Sequence, residues 1–240
     1  MKTVFISDLH LDKNQPELIK HFIEFIEGYN EEIDNLYILG DLVESWVGDD
    51  DPAIGTNQAL EVIKTLSEKS GVYFMHGNRD FMISSKICNK YGMKLINDPT
   101  TITIFNKKIT LMHGDLLCTD DIKYQEFRKL VRNEEWQKMM MTKSLKERMQ
   151  YAESLRLKSK TETDGKQEFI MDVNNNEVEN IFREHDADVL IHGHTHRPMV
   201  HDINLNKKMC KRIVLGDWGK QSHILEIDAT GMNFKRILLT

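Results

Sequence analysis

Apolar residues in this chain fall in short runs that stop abruptly at polar ones. Val4-Phe5-Ile6 runs into Ser7-Asp8-Leu9-His10, and Leu36-Tyr37-Ile38-Leu39 into Gly40-Asp41. Val72-Tyr73-Phe74-Met75 runs into His76-Gly77-Asn78-Arg79-Asp80, and Ile109-Thr110-Leu111-Met112 into His113-Gly114-Asp115. Val189-Leu190-Ile191 runs into His192-Gly193-His194-Thr195-His196. Such runs read as buried strands. Between the early ones, Leu18, Phe22, Phe25 and Ile26 recur at the spacing of a helix with one buried side. Alternating strands and helices predict a layered α/β fold with its ligands at the carboxyl ends of the strands.

Further on the pattern changes. Ile213-Val214-Leu215, His223 to Ile227 and Phe234 to Leu239 read as close-spaced strands. Thr101 to Phe105 and Ile109 to Met112 flank an expected hairpin turn at Asn106-Lys107. Together these predict a second, more antiparallel sheet. From Asp115 to Asp164 there is no Gly and no Pro. Phe127, Leu130 and Val131 have helical spacing, as do Trp136, Met139 and Met140, and then Leu145, Met149 and Ala152. The reading is a core of residues 1–121 and 171–240 with a helical insertion at 122–170. A plain pair of helices packed on the sheet is the alternative.

Charge bears on that choice. The chain carries a net charge of −6, which argues against a general nucleic-acid binder. Residues 122–170 hold 12 Lys+Arg against 8 Asp+Glu, so the insertion alone is basic. With the Met139-Met140-Met141 run, that favours a partly exposed apolar surface on the insertion. No apolar run approaches the ~18–20 residues that span a bilayer. Charge at Asp8 interrupts what would be the apolar stretch of a secretory signal. Cys88, Cys118 and Cys210 have no CxxC spacing, so neither a disulfide framework nor a thiolate zinc site is expected, and a reducing cytoplasm fits.

The polar strand ends carry the chemistry. Asp8 and His10 stand two apart, and His194 and His196 repeat the device. Asp41 is placed to bridge two ions through its two oxygens, beside a glycine that lets backbones approach. Asn78 offers an amide oxygen and His113 another imidazole. This nitrogen and oxygen set, without sulfur, suits Mn, Fe, Zn or Co. Each motif alone is weak, since a lone His after a strand is usually structural; five in series are not a chance pattern.

The series Asp8-x-His10, Gly40-Asp41, Gly77-Asn78-Arg79-Asp80, His113-Gly114-Asp115 and Gly193-His194-Thr195-His196 resembles the calcineurin-like metallophosphoesterases. The resemblance implies a four-layer αββα sandwich, with the insertion as a helical lid. It implies two divalent metal ions, one on Asp8, His10, Asp41 and His196, the other on Asp41, Asn78, His113 and His194. Asp41, Asn78, Arg79, His113 and His194 would carry catalysis, with Asp80 and Asp115 orienting ligands. His192 reads equally as a ligand's support or as a packed core histidine.

One position departs from the commonest family pattern. Many members have His after the Asn of the third motif, where this chain has Arg79. A guanidinium stays protonated and cannot act as a general acid, but it grips phosphate with two donors. That favours a phosphoanhydride, whose leaving group departs without a proton. Residues 40–50, His113 to Gln125, Ile170 to Asn174 and Leu190 to Pro198 narrow the resemblance to the branch that hydrolyses UDP-2,3-diacylglucosamine in lipid A biosynthesis. This implies release of UMP and 2,3-diacylglucosamine 1-phosphate after water attacks the α-phosphorus. It also implies Mn²⁺, and a cytoplasmic protein held peripherally at the inner membrane; no obligatory protein partner is inferred. Substrate contacts would fall on Asn78, Arg79, Asp121, Ser159, Thr163, Lys166 and His194, unless the three insertion residues merely end a solvated helix. Phe127, Leu130, Trp136, Met139 to Met141, Leu145 and Met149 would line an acyl slot. A different phosphoesterase acting on a nucleotide or phosphoprotein is the second reading, and a non-catalytic binding module the third. The intact ligand set opposes the third.

Overall fold

The computed structural model describes residues 1–29, 32–52, 55–163, 172–219 and 221–238, with residues 158–163 described by backbone only. Strands and helices alternate first: β1 (Thr3–Ile6), α1 (Pro16–Tyr29), β2 (Asn35–Leu39), α2 (Asn57–Ser67), β3 (Gly71–Met75), α3 (Ser85–Lys90) and β4 (Met93–Ile96). A hairpin of β5 (Thr100–Ile104) and β6 (Lys107–Leu111) follows. Then come α4 (Ile122–Val131), α5 (Glu134–Met141), α6 (Leu145–Thr163) and α7 (Asn175–Glu184). The chain continues with β7 (Val189–His192), β8 (Met199–Leu205), β9 (Lys208–Val214), β10 (Gln221–Asp228) and β11 (Gly231–Leu238).

The strands form two sheets, in the orders β11-β10-β1-β2-β3-β4 and β5-β6-β7-β9-β8. Because side chains alternate across a strand, each buried run serves two layers. Val4, Ile6, Ile38 and Phe74 pack on α1, α2 and α3 through Phe22, Leu60 and Ile87. Phe5, Tyr37, Leu39 and Met75 point the other way and meet Ile109, Leu111, Ile191 and Ile213 of the second sheet. Phe5, Tyr37 and Tyr73 stack across β1, β2 and β3 at centroid distances of 5.1 and 4.5 Å. Such pairs add about 0.5–1.5 kcal/mol each beyond their buried area. On the far face of the second sheet, Val178 and Phe182 of α7 cover Met112 and Leu190. The order helix, sheet, sheet, helix is the four-layer αββα sandwich.

Two details differ from the sequence reading. The late strands do not stay together: β9 joins the second sheet parallel to β7, whereas β10 pairs antiparallel with β1 of the first and carries β11. The hairpin turns at Phe105-Asn106, one residue earlier than expected, because both residues take left-handed φ values of 47° and 62°. Two such residues make the tight turn that matches strand twist.

Strands β1, β2 and β3 run parallel, as do β6 and β7. Their five polar ends therefore gather at one rim of the sandwich. No helix among the described residues is long and apolar enough to cross a membrane. Cys88, Cys118 and Cys210 are all buried, and no disulfide joins them.

Candidate metal centre

All seven expected ligands converge on that rim. Asp8, His10 and His196 form one cluster of donor atoms, and Asp8, Asp41 and His113 another, each within 4.8 Å. His10 Nε2 is 3.4 Å from His196 Nε2, which is 3.5 Å from Asp8 Oδ1. Asn78 Oδ1 sits 2.9 Å from His113 Nε2 and 3.0 Å from His194 Nδ1. Asp41 lies between the two halves. Its Oδ2 is 3.6 Å from His10 Nε2, and its Oδ1 is 3.9 Å from His113 Nε2.

The backbone is bent to achieve this. Asp8, His10, Asp41, His194 and His196 all have positive φ, between 49° and 68°. Asp, Asn and His are the residues other than glycine that adopt this region most readily. Close approach adds a second demand. A Cβ on Gly77 would fall 2.0 Å from Asp41 Oδ1, so that position has room for glycine alone. Buried Asp80 clamps two ligand loops by accepting hydrogen bonds from Leu42 N (2.7 Å) and Gly77 N (2.8 Å). Burial, followed by the charge on Asp41, raises its carboxyl.

Three observations fit divalent cations. First, Asp8 Oδ1 is buried and makes no hydrogen bond of its own, with His196 Nε2 facing it at 3.5 Å, and a buried carboxylate oxygen without a close donor is costly. Second, His113 Nδ1 donates its proton to the Leu39 carbonyl at 2.9 Å, which turns Nε2 toward the Asn78 amide oxygen at 2.9 Å. A proton on Nε2, or a cation in its place, satisfies both atoms at that distance. Third, the local field calls for one. Burial opposes charge on His113, yet Asp41, Asp115 and Asp8 raise it to about 9. Burial, and then the charge on His113, lowers neighbouring His194 to about 4. The His10 ring is oriented by Glu44, whose Oε2 lies 2.7 Å from Nδ1 and leaves Nε2 facing the centre. A carboxylate behind a ligating imidazole fixes its tautomer and strengthens it as a donor.

The scan against family models bears directly on this arrangement. The model described as calcineurin-like phosphoesterase matches residues 1–198, which include all seven expected ligands. The chain belongs to the calcineurin-like phosphoesterases. Its relatives in this family include a UDP-2,3-diacylglucosamine hydrolase of Stenotrophomonas maltophilia, 41% identical over 239 residues and 96% of each chain. The enzyme of that name from Chromohalobacter salexigens is 43% identical over 219 residues, 91% of this chain and 89% of the relative. That from Yersinia pseudotuberculosis is 42% identical over 231 residues, 95% and 96% of the two chains. Among solved structures, a novel archaeal phosphodiesterase superposes with a TM-score of 0.51 over 99% of each chain at 15% identity, a likeness of fold.

Beside the calcineurin-like centre lies a cavity of about 450 Å³. Asn78 and Arg79 line it on the metal side, and Phe127, Trp136, Met140 and Tyr151 on the helical side. The apolar residues picked out in the sequence therefore divide. Phe127, Trp136 and Met140 face the cavity, whereas Leu130, Met139, Met141 and Met149 are exposed and Leu145 does not line it. Of the expected substrate contacts, Asp121 caps α4 by accepting from Tyr124 N and does not line the cavity. Ser159 and Thr163 fall in the part of α6 described by backbone only, and Lys166 lies outside the described residues. His192 is buried, 3.3 Å from Arg212, and burial and then that guanidinium lower it to about 3. It behaves as a core histidine.

Sequence reasoning missed the polar ties of α4 and α6. Asp115 accepts from Tyr124 Oη (2.8 Å) and Arg128 Nε (2.7 Å). Arg132 donates to the Gly77 carbonyl (2.8 Å), Arg148 to that of Val47 (2.8 Å), and Arg156 to that of Glu44 (2.8 Å). The only sequence signal was the basic excess of the segment. Glu44 was in plain view three residues after Asp41, but no local pattern tells a ligand's partner from a surface acid.

Proposed function

We propose that the chain hydrolyses the pyrophosphate bond of UDP-2,3-diacylglucosamine, releasing UMP and 2,3-diacylglucosamine 1-phosphate for lipid A synthesis. The observation that carries this reading is an apolar cavity opening onto Arg79 and Asn78 at the rim of a two-part metal centre. A substrate with acyl chains at one end and a diphosphate at the other matches it. When bound, two divalent ions, with Mn²⁺ the proposed metal, would supply Lewis acidity for a water nucleophile and for the phosphoryl oxygens. Arg79 meets the diphosphate with a charged, planar fork, and its backbone N–H holds Asp41 Oδ1 at 2.8 Å. A guanidinium is no general acid, which suits a phosphate leaving group that departs without a proton. Phe127, Trp136 and Met140 shield the acyl end from water. The exposed Ile122, Leu130, Met139 and Met149 of α4 to α6, beside the segment's basic residues, support peripheral contact with the anionic inner membrane from the cytoplasmic side.

Turnover of UDP-2,3-diacylglucosamine in ¹⁸O water tests the reaction. Attack at the α-phosphorus puts the label in UMP and none in the lipid phosphate. Label in the lipid phosphate moves the attack to the other phosphorus. Failure to turn over the lipid, while a soluble phosphodiester is cleaved, removes the substrate assignment.

Arg79→Lys keeps the charge and loses the fork. It is expected to lower kcat/KM at least about tenfold, or ~1.4 kcal/mol. Steady-state rates on the lipid check this, and a wild-type value would show that Arg79 does not grip phosphate.

A further inference from the structure

The stretch Leu215–Gly219, beyond the segment matched by the family model, is built into the metal centre. Leu215 N donates to His192 O at 2.7 Å, beside the loop that carries His194 and His196. Trp218 N donates to the carbonyl of Asp8 at 3.0 Å. The Trp218 indole is buried against α1, with ring centroids 5.7 Å from Phe22 and 5.1 Å from Phe25. Gly216 lets this stretch lie against the ligand loop, since a Cβ there would fall 3.1 Å from Pro198 Cγ and closer still to His223. The stretch is thus pinned to two ligand loops and to the core. Between its fixed points, Asp217 presents Oδ2 3.8 Å from His196 Nδ1.

His196 is the more exposed of the two histidines in its cluster, and its backbone holds φ 54°. Its Nε2 faces Asp8 and His10. Its partner His10 shows what an oriented ligand needs, a carboxylate on the nitrogen turned away from the centre. We propose that Asp217 is the corresponding positioning residue for His196, holding Nδ1–H so that Nε2 is presented to the metal. The two groups stand 3.8 Å apart in this structure, and on this proposal they close to a hydrogen bond when the ring is drawn onto an ion.

The inference rests on the metal-centre reading, so its test begins with Mn²⁺ titration of the wild-type protein by calorimetry. Failure to bind two ions there overturns the metal centre itself. Given two ions, Asp217→Ala is expected to weaken one of them about tenfold or more and leave the other unchanged, the usual effect of losing a ligand's carboxylate partner. Asp217→Asn keeps an acceptor oxygen and should restore most of that affinity. On the lipid substrate at limiting Mn²⁺, Asp217→Ala should lower kcat with little change in KM. Asp217 is exposed, so the melting temperature measured in chelator should stay at the wild-type value. Wild-type affinity at both sites in Asp217→Ala overturns the proposal. So does a loss that Asp217→Asn does not restore, because Asp217 would then be a ligand itself.

Discussion

Replacing Asp41 with alanine is expected to abolish turnover and to strip metal from both halves of the centre. Its two oxygens face His10 on one side and His113 on the other, so each ion loses an anionic ligand at once. Transition-state stabilisation of several kcal/mol depends on those ions, and a loss of about 4 kcal/mol is roughly a thousandfold in rate. His196→Ala is the matched control. That side chain touches one cluster, so metal analysis should find about one ion per chain where Asp41→Ala retains neither. Asp41→Asn separates charge from backbone, because Asn tolerates the left-handed conformation held at φ 53°. It should fold as the wild type in chelator and still bind metal poorly. Two bound ions and near-normal turnover in Asp41→Ala would remove the bridge.

The second large effect is expected in the cavity. Changing Phe127, Trp136 and Met140 together to Ser removes apolar wall and leaves every ligand in place. A methylene is worth ~0.8 kcal/mol of burial, so an acyl chain losing several contacts loses several kcal/mol. On UDP-2,3-diacylglucosamine, kcat/KM should fall on the order of a hundredfold or more. A small soluble phosphodiester needs the metal centre alone and should be cleaved at the wild-type rate. Met140 is buried, so a melting curve must accompany the rates. Equal losses on both substrates in a protein that melts like the wild type would count against an acyl cavity.

The candidate ligands could be picked out because each stands where a buried strand stops, and because few residue types bind hard metals. Asp8, His10, Asp41, Asn78, His113, His194 and His196 all arrive at one rim. The cavity wall was legible only by halves. Helical spacing marks which residues share a side, but not which side faces inward, so Met139 was grouped with Met140 although one is exposed and the other buried. Phe81 and Arg156 went unnoticed because they come from separate segments and meet only in the folded chain. The fold shows the same limit. β10 was visible as a strand, yet its pairing with β1 joins residues more than two hundred positions apart, and local patterning carries no record of that choice.

The left-handed backbone at five of the candidate metal ligands bears on attempts to change which metal the centre selects. Exchanging a hard donor for Cys, or lengthening an Asp to Glu, is the usual route to a softer or larger site. At Asp8, His10, Asp41, His194 and His196 such residues meet a conformational cost of about 1–2 kcal/mol before any ion binds. A ligand swap would then fail for reasons unrelated to coordination chemistry. Asn78 and His113 do not show this positive φ, and they are the positions at which metal preference is open to redesign.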